Sequence, residues 1–588
     1  MSNRLMTLLG LLALIGVGMA VMAFFPQGEK PIETPSEYYA LPPATAPVLA
    51  EKQMVVTANP YASQAGLDVL RAGGTAADAA VAVLATLTLV EPQSSGLGGG
   101  AFMLYYDATA RTLSAYDGRE TAPRAATPDR FMDGARRMDF FKAVLSGRSV
   151  GVPGAVAMLE MAHKAHGKLE WADLFKTPTD LAFEGFIMSP RLNKMLLRDP
   201  VLGNTPDAQN IYFRTDSVPV RQGDPVFNPD YGETLKVIAE SGAAGFYRGP
   251  LAQAMVGKIN ISANAPGDMT LADFATYQAK QRVPLCLPYR NVTLCGMPPP
   301  TSGGLLVLQT LKILENLGIE NTNSGSAQAV HLISEASRLA YADRAKYVGD
   351  PDFIDVPVSG LLDANYLHKR AALVDPRKVD LQERRAGTPP MAPAAGADAT
   401  IERGGTSHFS IVDQWGNVVS LTASIEGPFG AHIISGGMFL NNELTDFSFT
   451  PRDPQGNLIA NRVEGGKRPR SSMSPTIVFD EHGKFLLAIG SPGGSRIPAY
   501  VLQSLIGVID WDMDVQAAIS MPRHVNRNGK TELEQGTPLA EQADTLRGMG
   551  HRVAVQEITS GLHGIMRLPN GKLAGGADPR REGRALGD

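Results

Sequence analysis

The chain has 588 residues, well above a usual single domain, so one large globular unit or several sub-domains is expected. Hydrophobic residues make up 44% and charged residues 19%, which supports a substantial core and excludes overall disorder; the 61 glycines and 42 prolines follow no collagen period. A formal net charge of −5 without a long basic run argues against a nucleic-acid partner, and two cysteines without an H-E-x-x-H exclude a Cys-built zinc site, an iron–sulfur cluster and that zinc motif.

Leu5 to Phe25 is uncharged and apolar behind Arg4, and as a helix it would span roughly 30 Å, the thickness of a bilayer core. Residues 1–25 therefore read as an uncleaved signal-anchor, with a removed signal peptide as the alternative. Either reading exports the rest, and the first implies membrane anchoring by residues 5–25. Residues 26–50 form a Pro-rich tether. Residues 62–90 predict two helices: SQAGLDVLRAGG stops at Gly73-Gly74, and Thr75 caps an all-round apolar segment that should be buried.

The glycines of EPQSSGLGGGAFMLYYD imitate a dinucleotide fingerprint in Gly96-x-Gly98-x-x-Ala101. A helix precedes them and a strand follows, the reverse of what that fingerprint needs, so the loop reads as one that lets backbone approach closely. From about 150 to 385 the pattern is mainly helical, with runs at 154–166 and 325–347. Within it, VPLCLPYRNVTLCG contains two β-rich runs around Arg290-Asn291, a hairpin that sets Cys286 opposite Cys295. A disulfide suited to an oxidising compartment, or two buried free thiols, both fit this spacing. Residues 381–405 begin as a Pro/Ala/Gly linker, after which the pattern switches to strands that continue through 476–490.

Just past the linker, GGTSHFSIVDQWGNVVSLTASIEGPFG folds in pattern as a hairpin around Gln414–Gly416, with Gly416 at the left-handed position. That register places Ser424 opposite Thr406 and puts Thr422, Ser424 and Glu426 on one face. A break between Gly405 and Thr406 would give Thr406 a free α-amine to act as base for its own hydroxyl. An ordinary threonine opening a hairpin has the same local pattern.

Ten motifs in order extend this reading: MVVTANPYASQAGLDVLRAGGTAADAAVA, VEPQSSGLGGGAFML, DGRETAP, VGVPGAV, GMPPPTSGGLL, GGTSHFSIVD, LNNELTDFS, KRPRSSMSPTI, GSPGGSR and GGADPRR. From about Met54 to Arg581 the chain resembles the γ-glutamyltransferase (glutathione hydrolase) family of N-terminal-nucleophile hydrolases. The resemblance implies an α+β fold, the four-layer αββα sandwich, with a helical portion in the large chain. It further implies self-cleavage into a heterodimer of its own two chains, residues 51–405 and 406–588. Thr406 matches the nucleophile and Ser424 a supporting hydroxyl. Arg119, Ser471 and Ser472 match the α-carboxylate site, Asp446 and neighbouring Glu443 the α-ammonium site, and Gly493 and Gly494 the oxyanion-hole N–H donors. The implied substrates are a γ-glutamyl donor such as glutathione and a water, amino-acid or peptide acceptor, with no metal or organic cofactor.

Two departures stand out. Glu426 occupies a position where typical transpeptidases carry Asn, and no Tyr lies between Asp446 and Ser471, where many members close a tyrosine-bearing lid. Both favour hydrolysis over transfer. The alternatives are an acylase that removes a glutaryl or aminoadipyl-type side chain, for example from a β-lactam, and an unprocessed, catalytically silent envelope binding protein.

Overall fold

The structure, a computed structural model, describes residues 35–40, 45–134, 136–215, 217–380, 383–400, 402 and 404–588. The expected signal-anchor or signal peptide lies outside them, as does most of the Pro-rich tether. Among the described residues no helix is long and apolar enough to cross a membrane.

In chain order the scaffold begins with β1 (Val48–Ala50), β2 (Met54–Thr57), α1 (Pro60–Arg71), α2 (Ala76–Val90), β3 (Gly100–Asp107) and β4 (Thr112–Gly118). It continues with α3 (Ala155–His166), α4 (Pro190–Arg198), β5 (Lys280–Arg282), β6 (Leu285–Tyr289), β7 (Val292–Gly296), α5 (Gly303–Leu317) and α6 (Ala327–Tyr347). The C-terminal part supplies β8 (Gly405–Val412), β9 (Val418–Glu426), β10 (Thr476–Phe479), β11 (Phe485–Gly490), α7 (Ile497–Ile509), α8 (Val515–Ser520), β12 (His563–Arg567), β13 (Leu573–Ala577) and β14 (Arg584–Gly587).

Two seven-stranded antiparallel sheets form the centre. One runs β14-β2-β8-β9-β3-β4-β5 and the other β1-β13-β12-β11-β10-β7-β6. Strand alternation decides which residues meet. On the first sheet Val55, Met103, Tyr105, Phe409, Ile411, Val419 and Leu421 face outward and pack on α1, α2 and α3. Met54, Val56, Phe102, Leu104, Val412 and Val418 face inward onto Ile477, Ala488 and Ile565 of the second sheet, whose far face carries Leu487 and Ile489 and is covered by α5, α7 and α8. This is the four-layer αββα sandwich that the sequence resemblance implies.

Local signals account for the helices nearest the site. The Asn59 side chain accepts the Tyr61 N–H at 3.1 Å, and Pro60 opens α1, so that helix starts two residues earlier than its apolar pattern suggests. Thr75 and Asp78 form a reciprocal capping box on α2. All of α2 is buried, as its uniform apolarity requires.

Residues 383–400 carry no regular element, as the linker composition predicts, yet they are fastened. Gly396 pairs with Ile459, the Asp398 N–H donates to Ala345, and the Asp398 carboxylate accepts from Arg470 at 2.8 Å. The segment is therefore not a loose spacer: its composition precludes a helix or strand but not docking through main-chain hydrogen bonds.

Cys286 and Cys295 are directly opposed in the β6–β7 pair and joined by a disulfide, so the free-thiol alternative does not hold. They lie at the edge of the second sheet, away from the Thr406 hairpin. Replacing both by Ala lengthens the unfolded chain's freedom over only a short loop, so the expected loss is about 2–3 kcal/mol, read from denaturant midpoints.

Candidate functional site

The hairpin β8–β9 closes around Asp413. Its N–H donates to the Asn417 carbonyl at 3.1 Å, its carboxylate accepts the Trp415 and Asn417 N–H groups at 2.9 Å each, and Gly416 takes a φ of +83°. The register pairs Thr406 with Ser424 as predicted and then slips, so that Gly405 faces Glu426. Glu426 itself leaves the extended region with a φ of +73°.

This slip builds a small hydroxyl junction across an intact Gly405–Thr406 bond. The Ser424 hydroxyl donates to the Gly405 carbonyl at 2.9 Å and accepts the Glu426 N–H at 2.8 Å and the Thr406 hydroxyl at 3.4 Å. One serine hydroxyl thus uses its one proton and both lone pairs. The Thr406 carbonyl accepts from Arg581 at 3.3 Å. The inner face behind the junction is small and polar. His408 shares a hydrogen bond with Thr422 at 2.9 Å, and Ser420 accepts the Thr476 N–H at 3.1 Å. A Cβ on Gly490 would lie 2.4 Å from the His408 ring, so glycine there lets the second sheet approach.

Upstream, Gly404 lies flat on the Gly493-Gly494 turn. A Cβ on Gly404 would stand 3.1 Å from the Gly493 carbonyl carbon and 3.3 Å from the Gly494 nitrogen. Both turn glycines have positive φ, +136° and +57°. A cavity of only about 10 Å³ remains beside Thr406, lined by Ser424, Glu426, Glu443, Asp446, Ser471, Ser472, Gly494 and Glu402. The structure therefore gathers the expected residues, with two exceptions. Gly493 faces the cleft next door, and Arg119 stands behind Glu443 and Asp446 instead of lining the cavity.

Arg119 is fully buried and its donors are engaged. It pairs with Glu443, with Asp446 at 2.6 Å, and with the Pro469 and Arg470 carbonyls at 3.1 and 3.0 Å. Burial works against its charge, but the Glu443, Asp446 and Glu120 carboxylates outweigh that and hold the guanidinium above its ordinary range. Burial pushes Asp446 well above the usual carboxylate range, and repulsion from Glu402 adds to it; Glu443 is raised chiefly by burial, and Glu120 by burial and by Glu443.

Glu402, Arg344 and Arg470 are functional neighbours that sequence reasoning missed. The Glu402 carboxylate accepts from Arg344 and from the Ser472 hydroxyl, with Arg470 3.5 Å away. Burial favours its neutral form, but Arg344 and Arg470 prevail and hold it below the usual range. Arg344 also donates to Ser472 at 2.9 Å. An internal carboxylate thus sits on one of the serines expected to bind a substrate carboxylate. The available signal was an arginine on the buried face of α6, out of place on an apolar helix face unless paired.

Arg119→Ala would strand buried carboxylates without their cation, a loss of about 3–5 kcal/mol. The remaining acids would have folded pKa values further above their unfolded values, so the native state would bind extra protons and lose stability as pH rises. Melting temperatures should show a deficit that is larger in mildly alkaline than in mildly acidic buffer.

Comparison with known proteins agrees with this geometry. The γ-glutamyltranspeptidase family profile matches residues 62–588. The glutathione hydrolase proenzyme of Bacillus subtilis is 35% identical over 577 residues, covering 96% of this chain and 95% of that protein. The glutathione hydrolase proenzyme of Escherichia coli is 37% identical over 544 residues, 91% of each. The crystal structure of cephalosporin acylase from Bacillus halodurans superposes with a TM-score of 0.80 at 27% identity, covering 96% of this chain and 99% of that one. An αββα sandwich around the β8–β9 hairpin, matched by profile and relatives along nearly its whole length, places this chain in the γ-glutamyltranspeptidase family.

Proposed function

We propose that this chain is a self-cleaving γ-glutamyl hydrolase and transferase acting on glutathione and other γ-glutamyl amides through Thr406. The observation that carries the reading is the Ser424 hydroxyl, which bridges the Gly405 carbonyl and the Thr406 hydroxyl. In the uncut chain Ser424 polarises the Gly405 carbonyl while Thr406 Oγ attacks its carbon. The Gly405 C–Thr406 N bond then breaks as the hydroxyl proton passes to that nitrogen, and water hydrolyses the resulting ester, leaving a Gly405 carboxylate, a free Thr406 amine and the restored hydroxyl. That amine, with an ordinary pKa of about 7.7–8.0, then serves as base for the hydroxyl.

In turnover Thr406 Oγ attacks the γ-carbonyl of the donor, the Gly493 and Gly494 N–H groups receive the oxyanion, and the α-amine passes its proton to the departing amine. Water, an amino acid or a peptide then takes the γ-glutamyl group. A cavity of about 10 Å³ is too small for a donor, so release of residues 402–405 has to precede binding. Their departure also removes Glu402, whose charge, after burial, is the next cause that raises Asp446. The zwitterionic donor end then exchanges with the internal ion pair. Its ammonium takes Asp446 and Glu443, and its carboxylate takes Ser471, Ser472 and the freed Arg119 fork.

Once Glu402 has left, three carboxylates still line the cavity, Glu426, Glu443 and Asp446, which favours a donor with an ammonium group. The likeness to a cephalosporin acylase keeps an aminoadipyl or glutaryl acylase as the second reading. A glutaryl donor lacks that ammonium, so Asp446→Asn should cripple γ-glutamyl turnover but spare glutaryl turnover. Phe447 and Phe449 are buried, and Phe449 stacks on Phe131 with ring centroids 4.5 Å apart. Neither lines the cavity, so the 447–470 loop supplies no aromatic lid, and water should prevail over amine acceptors at neutral pH. The Cys286–Cys295 disulfide and the apolar start support an exported enzyme, periplasmic or otherwise extracytoplasmic, with anchoring dependent on residues 5–25.

Thr406→Ala should leave one uncut chain without turnover, and Ser424→Ala should slow cleavage at least tenfold; gel and mass analysis of freshly expressed protein check both. With glycylglycine present, free glutamate should exceed γ-glutamyl dipeptide at neutral pH, and the dipeptide share should grow as the acceptor amine loses its proton on raising pH.

A further inference from the structure

Next to the nucleophile's cavity, on the far side of Gly404 and Gly493, lies a cleft of about 530 Å³. Six cationic side chains line it, Arg191, Lys194, Arg198, Arg496, Arg580 and Arg581, against the carboxylates of Glu557 and Glu582. In a chain with a net charge of −5 this is a local reversal of sign. Arg191, Lys194 and Arg198 share one face of α4 through three- and four-residue spacing.

Their commitments differ. Arg496 is paired with Glu532 at 2.7 Å, and Arg580 with Glu534 at 2.6 Å and Asp578 at 3.0 Å. Lys194 is well exposed and stands 4.0 Å from an equally exposed Glu557, a separation at which water screens the attraction. Arg198 is exposed at the end of α4. Arg191 lies 3.6 Å from the buried Glu91 carboxylate, and Arg581 donates to the Ser560 and Thr406 carbonyls, with burial and the Arg191 charge bringing it down to about 9 against the Glu91 and Asp578 carboxylates. The cleft's cationic capacity toward a ligand therefore rests on Lys194 and Arg198, the two exposed side chains on its α4 wall.

Gly404 lines this cleft, while Glu402 and Thr406, two residues before and after it, line the nucleophile's cavity. Withdrawal of residues 402–405 joins the two spaces across the Gly493-Gly494 turn. A donor whose γ-glutamyl end enters the cavity then directs what lies beyond its amide into the cleft. We infer that the cleft is the leaving-group subsite and that it selects γ-glutamyl donors whose leaving amine is a carboxylate-bearing, acidic peptide. This rests on the γ-glutamyl reading above. In the reaction the γ-amide bond breaks, the acyl group passes to Thr406 Oγ, and the acidic peptide leaves as an amine with the proton from the Thr406 α-amine.

The test uses the processed enzyme with three donors: γ-glutamyl-glutamyl-glutamate, its uncharged glutaminyl-glutaminamide counterpart, and γ-glutamyl-p-nitroanilide. The acidic tripeptide should show the lowest KM, and added salt should erase its advantage over the neutral tripeptide. Lys194→Glu/Arg198→Glu reverses two exposed charges. It should raise KM for the acidic tripeptide about tenfold or more with kcat held, while KM for the anilide moves less than twofold. An unchanged melting temperature excludes misfolding. Equal KM values for the two tripeptides, or equal effects of the variant on all three donors, would overturn the inference and leave the cleft to the freed Gly405 carboxylate. No turnover of any donor by wild type would remove the underlying γ-glutamyl reading, and the inference with it.

Discussion

On the proposed function Thr406 must become a chain terminus, yet it is first built as the second residue of a central strand, and the rest of the site follows from that constraint. Strand pairing holds Thr406 opposite Ser424, and the one-residue slip at Gly405 turns the preceding carbonyl onto the same serine hydroxyl. Without the slip, a regular ladder would commit the Gly405 carbonyl to β9 main chain and leave the hydroxyls without a shared target. The close fit of Gly404 on the Gly493-Gly494 turn fixes the approach from the other side. Glycines are needed at these places because backbone meets backbone there.

The second constraint is charge. Several carboxylates and three arginines are buried within one neighbourhood, and they are tolerated because each cation is shared. Arg119 serves Glu443 and Asp446, and Arg344 serves Glu402 and Ser472. Breaking one pair is costly, whereas exchanging one carboxylate for another is nearly balanced. On the proposed function a zwitterionic donor offers that kind of exchange, and Glu402 makes the same contact with Ser472 in advance, so that the segment proposed to be cut also fills the site.

Much of this was legible in the sequence because it is local. Glycine at the turn fixed the β8–β9 register, alternation set the faces, and an Arg-Asn turn set Cys286 against Cys295. The uniform apolarity of α2 marked it as central. What stayed hidden depends on distant pairings. Glu402 in a Pro/Ala/Gly-rich stretch reads as a solvated linker residue, and its partners lie on α6 and after the 447–470 loop. The orientation of Arg119 was equally unreadable, because motif matching assigns a role without showing which neighbours hold the side chain in the uncut chain. Pattern gave the scaffold; long-range charge pairing gave the state of the site.

On the proposed function one hydroxyl, that of Thr406, both ends the precursor and carries the acyl group. The most direct measurement is mass spectrometry of protein quenched during turnover of a γ-glutamyl donor, with peptide mapping of the smaller chain. The account predicts a chain beginning at Thr406 that carries a γ-glutamyl group on that residue and loses it once donor is exhausted. An active chain that remains uncut, or a γ-glutamyl group mapped to any other residue, would contradict it.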